Sequence, residues 1–180
     1  MNKVRKDKKP PFIIVAADPD GEVIESQDEY FVMLEYTGGY TLIVPPGLAF
    51  RKPAKAMLVY DLEKDRNDPV VDLLNMLSPL GMHVNLVDVM DMEKYPEADM
   101  KSKSWVDYAE KILDNKLRIT SNVLAGDDYA ETIINFFQRN KYDFIILPQV
   151  FSPAKRLSPF PNELHRTIID ELHAPVMFYA

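Results

Sequence analysis

At 180 residues the chain is long enough for one well-buried core, and an apolar share of 47% is an ordinary globular value that excludes wholesale disorder. It contains no cysteine, which excludes disulfides, thiolate metal sites and cysteine nucleophiles. A formal charge of −7 argues against a nucleic-acid partner, which needs a basic face.

In chain order, Lys3, Arg5, Lys6, Lys8 and Lys9 precede Pro10-Pro11 and read as a flexible basic tail over residues 1–10. The apolar run from Phe12 to Ala17 stops at Asp18-Pro19-Asp20-Gly21, too short for the core of a signal peptide. No segment approaches the roughly 20 apolar residues that cross a bilayer. A soluble, cytoplasmic protein with no membrane partner is expected.

Residues 11–53 read as strand, short helix, strand and linker: Phe12–Val15, Glu29–Tyr36, Tyr40–Val44, then Pro45-Pro46-Gly47. A second reading of the first part is a β-hairpin over Phe12–Ser26, turning at Asp18-Pro19-Asp20-Gly21.

From Ala54 onward strands and helices alternate. Ala56–Tyr60 is a strand ending in Asp61, and Asp68-Pro69 opens a helix with Val70, Leu73, Leu74 and Leu77 at 3–4 spacing, stopped at Gly81. Val84–Val89 is the next strand. A polar connection, Asp91–Lys103, leads to a helix with Trp105, Tyr108, Ala109, Ile112 and Leu113 on one face. Strand Leu117–Leu124 follows, and Asp127 caps a helix carrying Ala130, Ile133, Ile134 and Phe137. After strand Phe144–Leu147 comes a proline-rich loop, a helix capped by Asn162, and a last strand, Pro175–Tyr179.

This alternation predicts an α/β protein with a five-stranded, mostly parallel sheet sandwiched by helices over residues 54–180. Ligands in such sheets bind at the carboxyl ends of the strands, which puts Asp61, Val89, residues 125–127 and the loop 148–162 on one rim. The first fifty residues also parallel the last forty. Phe12-Ile13-Ile14-Val15 matches Phe144-Ile145-Ile146-Leu147, and Tyr40–Val44 matches Ala174–Phe178 at nearly the same offset, the mark of an internal duplication.

Four features resemble the universal stress protein family in its tandem form. They are Asp61 closing the first strand, Val84-Asn85-Leu86-Val87-Asp88-Val89 as the second, Gly126-Asp127 … Asp143-Phe144-Ile145-Ile146, and the terminal Ala174-Pro175-Val176-Met177-Phe178. The resemblance implies one complete copy over 54–180, preceded over 11–53 by a partial copy and linker, and an adenine nucleotide alpha hydrolase-like fold. It implies that Tyr40–Val44 lies beside Pro175–Tyr179, and that Asp61, Val89 and Gly126 flank an adenine nucleotide. The family's phosphate motif, G-x-x-G-x9-G-[ST], falls here on Pro148, Phe151, Pro161 and Asn162, so every glycine is lost. Proline offers no N–H and the bulk of Phe151 stands where phosphate would lie, leaving Lys155 and Arg156 as the side-chain substitutes. The expectation is a non-enzymatic stress-response or regulatory domain without a cofactor, acting through protein contacts. The alternative is an ATP- or AMP-binding protein with an atypical phosphate loop.

An exposed strand edge left by a half-copy predicts a homodimer joined through sheet edges. Other chemistry is weaker. Asp61 to Asp72 places oxygens at calcium-loop positions, but Arg66 stands where the loop's glycine belongs. His83, His165 and His173 show no metal-ligand spacing, and no nucleophile elbow holds Ser152 or Ser158 beside His165 and Asp170.

Overall fold

The computed structural model describes residues 12–16, 40–45, 47–49, 51–61, 68–90, 93, 95–113, 117–149 and 163–179. Their apolar runs sort into strands by how many faces they bury. β3 (Lys55–Val59), β4 (His83–Met90), β6 (Phe144–Pro148) and β7 (Val176–Tyr179) are buried almost throughout, as interior strands of a covered sheet must be. β5 (Arg118–Ala125) exposes Arg118 and Asn122 and buries Ile119 and Val123, the alternation of an edge.

These five strands run parallel in the order β7-β6-β3-β4-β5, as the alternating pattern predicts. β1 (Phe12–Ala16) and β2 (Tyr40–Val44) do not form a separate layer but extend the same sheet to seven strands. β1 pairs with β2 in parallel. β2 then pairs with β7 antiparallel, matching Thr41 to Phe178, Leu42 to Met177 and Ile43 to Val176, the neighbour relation that the resemblance implies. The tail, the expected helix at 29–36 and the far half of the alternative hairpin lie outside the described residues.

Helices cover both faces. On one, α1 (Asp68–Leu77) and α2 (Tyr95–Ile112) set Leu73, Leu74, Leu77, Trp105 and Ala109 into a core with Leu58, Leu86 and Ile146. On the other, α3 (Tyr129–Asn140) and α4 (Glu163–Glu171) bring Ile133, Phe137, Leu164 and Ile168 against Val59, Val87, Ile145 and Phe178. α1 runs into a 3-10 turn, Ser78–Leu80, closed by Gly81 at a φ of 63°, where its N–H reaches the Ser78 carbonyl at 3.1 Å.

Two local expectations need correction. α2 begins at Tyr95, well inside the polar connection expected over Asp91–Lys103, and its buried stripe is Ala98, Ser102, Trp105 and Ala109, while Tyr108 and Ile112 face outward. The small side chains of Ala98 and Ser102 continue the stripe without adding to the apolar signal. The N-cap of α3 is Asp128 rather than Asp127, its carboxylate accepting the Glu131 N–H at 2.9 Å.

Candidate functional site: the carboxyl rim of the sheet

The winding of the sheet reverses at β3, whose chain continues into β4 on one side while β6 lies on the other. Asp61 leaves β3 at this switch point and is only 6% exposed. The Tyr60 N–H donates to the Val87 carbonyl at 3.0 Å, and its hydroxyl donates to Ser102 Oγ at 2.9 Å. Its ring lies 5.8 Å from that of Trp105. From the far side of β6, the Tyr179 hydroxyl donates to the Val59 carbonyl at 3.1 Å.

Burial pushes both phenols far above their ordinary range. For Tyr60, the Ser102 hydrogen bond opposes this and Asp88 adds to it; for Tyr179, Asp61, Asp88 and Tyr60 all add to it. Two carboxylates and two protonated phenols thus share the buried centre of the rim, a cluster suited to holding hydrogen bonds. Sequence reasoning singled out Asp61 and missed the phenols, whose partners lie far away along the chain.

Val89 is buried in the same core cluster as Ile133 of α3, so its side chain serves packing. Gly126 follows β5 and opens the turn into α3. A Cβ there would stand 2.1 Å from Thr132 Oγ1, which is itself held on the Asp128 carbonyl at 2.6 Å. That close approach, rather than ligand access, is what the structure asks of this glycine. Lys155, Arg156 and Asn162 lie outside the described residues, as do Phe151 and Pro161, so the structure brings together only Asp61, Val89 and Gly126 on one rim.

Pro148, at the first glycine position of the phosphate motif, is described. It ends β6 without an N–H to offer, and the Nε2–H of His165 on α4 donates to its carbonyl at 2.9 Å. The next residue, Gln149, gives its N–H to the Tyr179 carbonyl at 2.8 Å. His165 is 0% exposed, packs edge-on against Phe178 at 5.4 Å, and is pushed down to about 4 by burial, with the Pro148 bond opposing. Its place beside the buried positions Leu164 and Ile168 is the signal that marks it as a core histidine. Neither Pro148, which has no N–H, nor Gln149, whose N–H is already used, has a backbone donor to offer a phosphate. Among the described residues no group of three metal-ligating side chains occurs, and no helix is long and apolar enough to cross a membrane.

A doubly wound α/β sheet with its rim at the switch point is the architecture in hand. No protein-family model matches the sequence, and no curated protein matches it. Solved structures do match. A universal stress protein from Archaeoglobus fulgidus DSM 4304 superposes with a TM-score of 0.63 at 12% identity, over 93% of this chain and 60% of its own. Universal stress protein UspA from Lactobacillus plantarum gives 0.55 at 12%, over 73% and 100%. The universal stress protein from Archaeoglobus fulgidus in complex with dAMP gives 0.51 at 16%, over 72% and 100%. The chain has the universal stress protein fold.

Proposed function

We propose that this chain is a universal stress protein of tandem ancestry that acts in stress response or regulation through protein contacts, without catalysis and with a degenerate nucleotide site. The observation that carries this reading is Pro148, where the cradle's first glycine would stand. It has no N–H for phosphate, and its carbonyl is taken by buried His165. The tandem part draws support from β2 pairing antiparallel with β7, and from the Archaeoglobus fulgidus DSM 4304 protein, which is matched over nearly the whole chain while covering 60% of its own length.

A second reading keeps a nucleotide. It is favoured by Asp61 at the switch point and by the dAMP complex among the structural neighbours. In it, Asp61 and Val89 seat adenine, with Lys155, Arg156 and Asn162 left to meet phosphate. Calorimetric titration with ATP, ADP, AMP and cyclic dinucleotides separates the two. Silence across the set is expected; micromolar binding of any of them, weakened by Asp61→Ala, restores the nucleotide binder.

The same proposal includes a homodimer joined through sheet edges in the cytoplasm. β1 has no strand beyond it among the described residues, and an edge strand invites pairing. Sedimentation at micromolar concentration should show a dimer, and a stable monomer there removes this part.

A further inference from the structure

The opposite, amino-terminal edge of the sheet carries a row of side chains that the nucleotide positions do not use. Lys55, His83 and Arg118 are register partners on β3, β4 and β5. Partners in a parallel ladder share a face, and with about 4.8 Å between strands the row spans about 10 Å. It lies on the face that α3 and α4 cover, since Met57 and Val59 of the same strand face belong to that core.

Polar side chains back the row. The Thr120 hydroxyl donates to Asn85 Oδ1 at 3.1 Å, so its oxygen accepts the Nε2–H of His83 at 2.8 Å. The Asn85 amide donates to Asn122 Oδ1 at 2.9 Å and to the Tyr142 hydroxyl. Lys55 Nζ donates to the Asn140 carbonyl at 3.1 Å and stands 4.3 Å over the Tyr142 ring. Burial, then Arg118 and Lys55, hold His83 below its ordinary pKa, so the charges of the row reach one another.

Lys55 and Arg118 stand on either side of His83, two strands apart, and Lys55 is already held by the Asn140 carbonyl and the Tyr142 ring. The acid beside the row, Asp143, is already engaged: it accepts the Ala54 and Lys55 N–H groups at 2.8 and 2.9 Å and pairs with Arg51 at 2.7 Å. Arg118 is exposed and has no ion pair among the described residues. β5 is also the last strand of the sheet among the described residues.

We propose that this row and the outer edge of β5 form a docking surface for an extended acidic segment of a partner protein. Such a segment adds beside β5 through main-chain hydrogen bonds, and acids at every second residue fall on the row's side of the sheet. There the Arg118 guanidinium and the Asn122 amide, whose Oδ1 is already used, stand as donors. On a chain of net charge −7, a local basic strip selects an acidic partner by charge complementarity. The inference rests on the reading of a protein that works through contacts, and it uses the rim opposite the nucleotide positions.

The test is fluorescence polarisation of the full chain with three labelled probes: a short alternating Glu-Thr peptide, its Lys-Thr counterpart, and a single-stranded DNA oligonucleotide. Only the Glu-Thr peptide should bind, more weakly at high salt. Arg118→Glu should weaken it at least about tenfold. Lys111→Glu, the same charge change on α2, which covers the other face of the sheet, should weaken it less than Arg118→Glu does. No Glu-Thr binding, binding indifferent to Arg118→Glu, or equal binding of the oligonucleotide overturns the proposal. Nucleotide binding at the carboxyl rim sinks the degenerate-site reading without touching the Arg118 result, and peptide silence leaves the phosphate-loop argument standing, so the two failures are distinguishable.

Discussion

Replacing His165 by glutamine is expected to abolish a large part of the protein's sensitivity to mild acid. In the fold His165 is buried and neutral, with its pKa lowered from 6.5 to about 4. Released by unfolding, the same imidazole titrates near 6.5. Between these values the unfolded chain binds a proton that the folded one refuses, so stability falls as pH drops from about 6.5 toward 4 and levels off below. The full effect is about 3 kcal/mol, a large fraction of a typical domain's stability. Glutamine keeps a side-chain N–H for the Pro148 carbonyl but cannot ionise. At neutral pH it should be the less stable protein, having lost the packing of the ring on Phe178. Its deficit should then shrink by about 3 kcal/mol on going to pH 4. Carboxylates titrate in both proteins alike, so urea midpoints compared pairwise at several pH values isolate the histidine. A constant gap between the two proteins across that range would mean that His165 takes up its proton freely in the fold. The hydrogen bond to Pro148 would then offset the desolvation of the ring in full.

How much of this was legible beforehand follows from which forces act locally. Buried parallel strands read as apolar runs whatever surrounds them, so Phe144–Leu147 and Val84–Val89 stand out from the sequence within a residue or so of β6 and β4. Helices with leucine or isoleucine at 3–4 spacing are equally plain. α2 is harder because its inward face begins with Ala98 and Ser102, and Ser102 is there to receive the Tyr60 hydroxyl, a partnership that no local pattern encodes. Asp127 and Asp128 are both good caps by chemistry, and only the backbone decides which one turns its carboxylate to Glu131. The rim divides in the same way. Asp61 is found by its position after a strand, whereas Tyr179 reaches Val59 from the other end of the chain. The basic row is invisible in sequence for a related reason: Lys55, His83 and Arg118 meet only once the register of three strands is known.

Ile43→Ala should lower the stability of the whole molecule, not merely loosen its N-terminal strands. Ile43 is 7% exposed, opposes Val176 in the antiparallel pairing of β2 with β7, and shares a core cluster with Val176 and Phe178. Truncating a buried isoleucine to alanine costs about 2–4 kcal/mol through lost transfer energy and the cavity left behind. The single tryptophan makes the global character of the loss measurable. Trp105 lies in the other core cluster, on the opposite face of the sheet, so its fluorescence reports an event remote from the mutation. If β1 and β2 are integral to one cooperative sheet, the tryptophan transition in urea remains single and moves to lower denaturant by the full cost. If they are an appendage laid against a self-sufficient five-stranded unit, the Trp105 midpoint stays where it is. The loss then surfaces only in a separate, earlier transition followed by far-UV dichroism. The first outcome is expected, because β7 has only four residues, all buried, and β2 is its neighbour on the side away from β6. Without a tightly packed β2, the backbone of β7 on that side and Phe178, which His165 packs against, would meet water together.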